Sequence, residues 1–122
     1  MIKLMTKQFS KWVSKQKIPE TELVTAVSEI QDGIFEASLG GHLYKKRISF
    51  EGRGKSGSGR TIICYRKDDR VIFVHGFAKS EKDNLSKKEL HAFKEFSKIL
   101  LNLLPESIRV AIENGDFVEV KS

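Results

Sequence analysis

The chain has 122 residues, a mass of 13.9 kDa and a formal charge of +6, which leaves room for one domain around one core. Its 39% hydrophobic content and two prolines argue against disorder. No apolar run behind Lys3 and Lys7 suits a signal peptide, and nothing approaches the roughly 18 apolar residues of a membrane span, so a cytoplasmic protein without a membrane partner is expected.

Residues 2–4 read as a short edge strand. From Thr6 the spacing of Phe9, Trp12 and Val13 predicts an amphipathic helix. Pro19 suits the first turn of a second helix, whose stripe is Leu23, Val24, Val27 and Ile30 and whose stop is Gly33. At Leu39-Gly40-Gly41 the pattern changes, and over residues 43–50 the period becomes two. Tyr44, Ile48 and Phe50 face one way, with Leu43, Lys45, Arg47 and Ser49 the other. A helical layer on one side would cover the first set and leave Lys45 and Arg47 on an open face. Lys46 interrupts the alternation and is expected near an edge.

Between residues 42 and 60 stand six basic residues (Lys45, Lys46, Arg47, Arg53, Lys55, Arg60) against one acid, Glu51, so this segment supplies +5 of the net +6. A solvated face mixes its signs; a concentrated block points to a polyanion. Glycines 52, 54, 57 and 59 predict a loop. Strands follow over residues 61–65 and 71–77, joined by a turn at Asp68-Asp69, completing a three-stranded antiparallel meander.

Ser86 and Glu89 have capping-box spacing, flanked by Leu85 and Leu90 as a hydrophobic staple. Phe93, Phe96, Leu100, Leu103 and Leu104 carry the helix to Pro105. A helical turn around residues 108–112, a break at Asn114-Gly115 and a strand over residues 117–120 end the chain. The predicted order is β-α-α-β-β-β-α with a C-terminal extension. This is an α+β sandwich with an antiparallel sheet and its helices on one side. Residues 1–104 form the domain and 105–122 extend it.

Three segments carry a family likeness: Leu39-Gly40-Gly41-His42-Leu43-Tyr44-Lys45-Lys46-Arg47-Ile48, Gly52-Arg53-Gly54-Lys55-Ser56-Gly57-Ser58-Gly59-Arg60-Thr61, and Gly76-Phe77-Ala78-Lys79-Ser80-Glu81-Lys82-Asp83-Asn84-Leu85. In order and spacing they resemble a HigB-like branch of the RelE/ParE toxin superfamily, over residues 6–104. The resemblance implies an RNase-like fold and a bacterial toxin that cuts messenger RNA on the ribosome. It also implies silencing by an antitoxin, a helix-turn-helix protein from the same operon. No cofactor or metal is expected.

Metal-free RNA cleavage uses the ribose 2′-OH as nucleophile. The protein must take that proton, stabilise charge on the phosphate and protonate the leaving 5′-oxygen. By motif position the resemblance assigns this work to Lys45, Arg47, Arg60 and Lys79. Arg47 and Arg60 would clamp the phosphate, and Lys45 or Lys79 would accept the proton. Lys46, Arg53 and Lys55 are expected to touch RNA backbone, which positions without reading sequence. The pattern departs from the best-known RelE toxins at Ser80, where they carry arginine. It departs again at Asn84, Leu85 and Ser86, where they present a tyrosine. His75 and Phe77, on the strand parity of Lys79, are the candidates to fill the proton-donor and base-stacking roles.

Ordinary alternatives stand beside these assignments. Lysines and arginines on a strand can be solvated surface, His75 a satisfied strand histidine, Cys64 core, and Glu81 a surface carboxylate or an orienter of Lys79 or Arg60. His42 and His91 share no ligand spacing with other metal-binding residues. Gly54-Lys55-Ser56 is no P-loop, since Ser49 stands where that motif needs glycine and a strand follows instead of a helix. The competing functions are a ParE-type gyrase inhibitor and a catalytically inactive RNA-binding module.

Overall fold

The computed structural model describes residues 1–50, 58–78 and 84–121. Arg53, Lys55 and Lys79 of the expected site, and the glycine loop around the first two, lie outside the described residues.

The elements run β1 (Ile2–Thr6), α1 (Lys7–Gln16), α2 (Glu20–Gln31), β2 (Ala37–Gly40), β3 (Leu43–Ile48), β4 (Gly59–Arg66), β5 (Arg70–Ala78), α3 (Lys87–Asn102), α4 (Pro105–Glu113) and β6 (Phe117–Glu119). The sheet order is β2-β3-β4-β5-β1-β6. The meander β3-β4-β5 is as expected, with the turn at Asp68 in the left-handed region. The α+β class holds as well. β1 is an interior strand and not an edge: it runs parallel to β5 and antiparallel to β6. The C-terminal segment is thereby built into the sheet as its last strand. At the opposite edge β2, which the alternation pattern did not reveal, pairs with the start of β3 around positive-φ Gly40 and Gly41.

Helices cover both faces, not one. Phe9, Leu23, Val27 and Ile30 of α1 and α2 bury Met5, Ile48, Ile63 and Phe73. Leu100 and Ile108 of α3 and α4 bury Leu4, Leu43, Ile62, Cys64 and Ile72 on the other side. The reason lies in β4 and β5, where residues 71–74 are a continuous apolar run, each at most 4% exposed. Such a run belongs to a strand buried on both faces. Leu104, expected in the α3 stripe, is 68% exposed because the helix ends before it.

α3 begins on its expected capping box: Glu89 N–H donates to Ser86 Oγ at 3.1 Å and Ser86 N–H to Glu89 Oε1 at 2.9 Å. Its C-terminal carbonyls are met from the sheet. Buried Arg70 donates through Nη1 to Leu100 O (2.8 Å) and Leu103 O (2.9 Å), and Arg66 Nη2 donates to Leu101 O (3.1 Å). Asp69 accepts from Arg70 Nε and Arg66 Nε, both at 2.8 Å. The Arg70 bond leads in holding the Asp69 carboxyl below the usual carboxylate range, with that of Arg66 also contributing, against partial desolvation.

Candidate active site on an open sheet face

Directly opposed strand residues share a face, so the register lays the α3 side of the sheet out in rows. The first is Leu43, Cys64 and Ile72; the second Lys45, Ile62 and His75; the third Arg47, Arg60 and Phe77. α3 seals the first row. Ser97, fully buried, donates to Gly41 O at 2.8 Å and lies 3.3 Å from Cys64 Sγ. Phe93 reaches the second row, its ring centroid 5.0 Å from that of His75. The cations occupy the far end of the same face.

A β-bulge supplies His75 to that face. Ile62 opposes His75 while Ile63 opposes Phe73, so Val74 is the extra residue on β5. Simple alternation would send His75 toward α1; the bulge turns it toward α3. The next residue, Gly76, then meets Trp12 of α1, where a Cβ would come within 2.4 Å of the indole. Only glycine fits under that ring.

Lys45, Arg47 and Arg60 are therefore brought together. Arg47 is exposed, and the side chains of Lys45 and Arg60 are largely covered. His75 is half-buried, its centroid 6.0 Å from Phe77. Two members of the expected RNA-contacting set are placed elsewhere. Lys46 keeps the strand alternation, points to the α2 face and is 5% exposed, 3.0 Å from Glu29 Oε1. Its charge is used within the fold. Phe77 is 4% exposed within the second core, so it offers no open ring for a base.

Sequence reasoning missed Glu36, the residue before β2. Its N–H donates to Lys45 O at 2.8 Å, which anchors it beside β3. Its carboxylate straddles the Arg60 Nε–H, with oxygens at 2.8 and 2.9 Å, and comes within 4.0 Å of Lys45 Nζ. Arg60 thus leans across β3 to reach it. No pattern flags this residue, because its partner is 24 positions away and β2 is short. From Glu36 and Arg47 a cleft of about 400 Å³ continues past Phe35, Ile34 and Ser49 to Glu29. Ile34 and Phe35 are exposed there, with the Phe35 ring packed on Tyr44.

Three cations on neighbouring strands, two of them facing one carboxylate, define a protein of α+β class that presents a basic face suited to a polyanion. Residues 2–120 match the family model described as RelE toxin of the RelE/RelB toxin–antitoxin system, and the chain belongs to that family. Its class is thus that of a toxin–antitoxin toxin, whose family members pair with an antitoxin. No curated protein sequence matches the chain closely enough to add a relative.

Proposed function

We propose that this toxin is a ribosome-dependent endonuclease of messenger RNA, of the HigB-like branch, acting in the cytoplasm. The observation that supports it most is the face-sharing of Lys45, Arg47 and Arg60, with Arg47 directly opposite Arg60. Two adjacent guanidinium groups, always charged and fork-shaped, suit the non-bridging oxygens of one phosphate. The 2′-oxygen attacks phosphorus and the bond to the 5′-oxygen breaks, leaving a 2′,3′-cyclic phosphate and a 5′-hydroxyl. Arg47 and Arg60 stabilise the charge that grows on phosphorus-bound oxygen. Lys45 or Lys79 takes the 2′-OH proton. His75, on the same face, is the candidate to protonate the leaving oxygen, and Arg53 and Lys55 are assigned to RNA backbone contact.

The antitoxin partner would silence the site by laying an acidic or helical segment over Lys45, Arg47 and Arg60, using the charges that bind RNA. Induction of the chain and of Arg60→Ala in cells tests the function. Message 5′ ends should appear within codons and vanish in the variant. Altered plasmid supercoiling with intact message would instead make it a gyrase inhibitor, and no change in either would leave an RNA-binding module.

A further inference from the structure

We infer that Glu36 is a positioning residue, which sets the Arg60 guanidinium for the phosphate by holding its Nε edge. This rests on the nuclease reading above. Arg60 directly faces Arg47, and like charges across a strand pair repel. Without an anion the long side chain would swing into solvent, where it has many rotamers to lose again on binding. Glu36 removes that freedom with a single donor. Both of its oxygens lie within 2.9 Å of Nε, and it touches no Nη among the described contacts. The other described bond of Arg60 is a long one, 3.5 Å from Nη1 to Gly59 O. Among the described residues the Nη end of the guanidinium therefore meets no carboxylate, and it is the end a phosphate would use. The backbone of Glu36 is anchored in turn by its N–H, which donates to Lys45 O, so the carboxylate is carried by the sheet edge and not by a loose loop.

The same carboxylate draws Lys45 toward Arg60 across 4.0 Å. One acid therefore organises two of the three cations. Charge neutralisation alone would weaken RNA binding; fixed orientation strengthens the transition-state contact and acts on turnover. These two effects have opposite signs, which makes the assignment testable. Glutamine keeps an oxygen that can accept from Nε and removes the charge, whereas alanine removes both.

The test is a double-mutant cycle on messenger cleavage by programmed ribosomes, with kcat and KM measured separately and folding checked by thermal denaturation. Glu36→Ala should lower kcat on the order of tenfold with a smaller change in KM, and Glu36→Gln should restore most of it. In the Arg60→Ala background Glu36→Ala should cost several-fold less than in wild type, because most of its effect runs through Arg60 and only the longer 4.0 Å approach to Lys45 remains. Equal losses in both backgrounds would overturn the inference and make Glu36 an independent proton acceptor or a fold determinant. Tighter binding and faster cleavage in both Glu36 variants would overturn it in favour of a carboxylate that merely competes with phosphate. A nitrogen-resolved spectrum of the Arg60 Nε–H, read without RNA, separates this inference from the nuclease reading. Wild type should show a slowly exchanging resonance that Glu36→Ala loses, even if the protein proved to cut no RNA. An unchanged resonance would refute the positioning role.

Discussion

Arg47 and Arg60 stand directly opposite each other on β3 and β4, two permanent cations on one face with Glu36 bound to only one of them. Repulsion across a strand pair costs a few tenths to about 1 kcal/mol, a cost that the proposed phosphate-binding role would account for. Replacing exposed Arg47 with threonine, a good strand former, should therefore stabilise the protein by about 0.5 kcal/mol in urea unfolding. The same variant should lose RNA cleavage by about a hundredfold. A stability loss with intact cleavage would contradict both halves.

Arg70 is the tie between the sheet and the end of α3. Arg70→Met removes the guanidinium donor to the Leu100 and Leu103 carbonyls and one of the two arginine partners of Asp69. Removing one member of such a buried arrangement costs about 3–5 kcal/mol, measurable by chemical denaturation. Lysine should recover only part, since it cannot bond two carbonyls and a carboxylate in the geometry of a guanidinium.

Asp69 gives this tie a pH dependence. Its carboxyl is held below the ordinary range in the folded state, so the unfolded chain takes up its proton first as pH falls. Its contribution is full above the unfolded carboxylate range and is lost as pH drops through the folded value. Asp69→Asn should lower stability near neutral pH by about 1 kcal/mol or less, since the side chain is partly exposed. The gap from wild type should close in acid. A gap that persists at low pH would show that the side chain acts by shape and not by charge.

Cys64 is fully buried, and burial leads in pushing its thiol above the ordinary range despite the Ser97 contact. Thiolate is the reactive form. A thiol reagent should label the native protein only at the rate of unfolding, and at once in denaturant. Fast native labelling would mean the first row of the sheet is not sealed by α3.

Gly76→Ala should destabilise the protein by about 1–3 kcal/mol, because the added methyl enters the Trp12 ring. The chain has one tryptophan, so its fluorescence maximum should shift in the same variant. An unshifted maximum with unchanged stability would place Trp12 elsewhere.

The legible parts of the fold were those whose signal is local. The α3 capping box spans four residues, and the alternation of Tyr44, Ile48 and Phe50 against Leu43, Lys45 and Arg47 named the correct faces of β3. What was hidden depends on distant partners. β1 cannot be read as an interior strand without β6, its neighbour from the far end of the chain. The one-sided layer was inferred from the basic end of β3, although residues 71–74 already carried the pattern of two-sided burial. Charge clustering singled out Lys45, Arg47 and Arg60, which the strand register places on one face. It overcounted Lys46, whose charge answers Glu29 on α2, and overlooked Glu36, whose role exists only once β2 lies beside β3. Phe77 matched the parity of an open face but not its depth, which only packing decides.

Cleavage through the ribose 2′-OH by the Lys45, Arg47 and Arg60 face, as proposed, requires that hydroxyl in the message, so a message lacking it at one nucleotide is the decisive substrate. Purified protein should cut message on programmed ribosomes and leave a 2′,3′-cyclic phosphate. A single 2′-deoxy substitution at the mapped cleavage nucleotide should abolish that cut, and Arg60→Ala should slow it by about a hundredfold or more. Cleavage of the deoxy message would rule out 2′-OH attack, and cleavage undiminished in Arg60→Ala would rule out this face as the site.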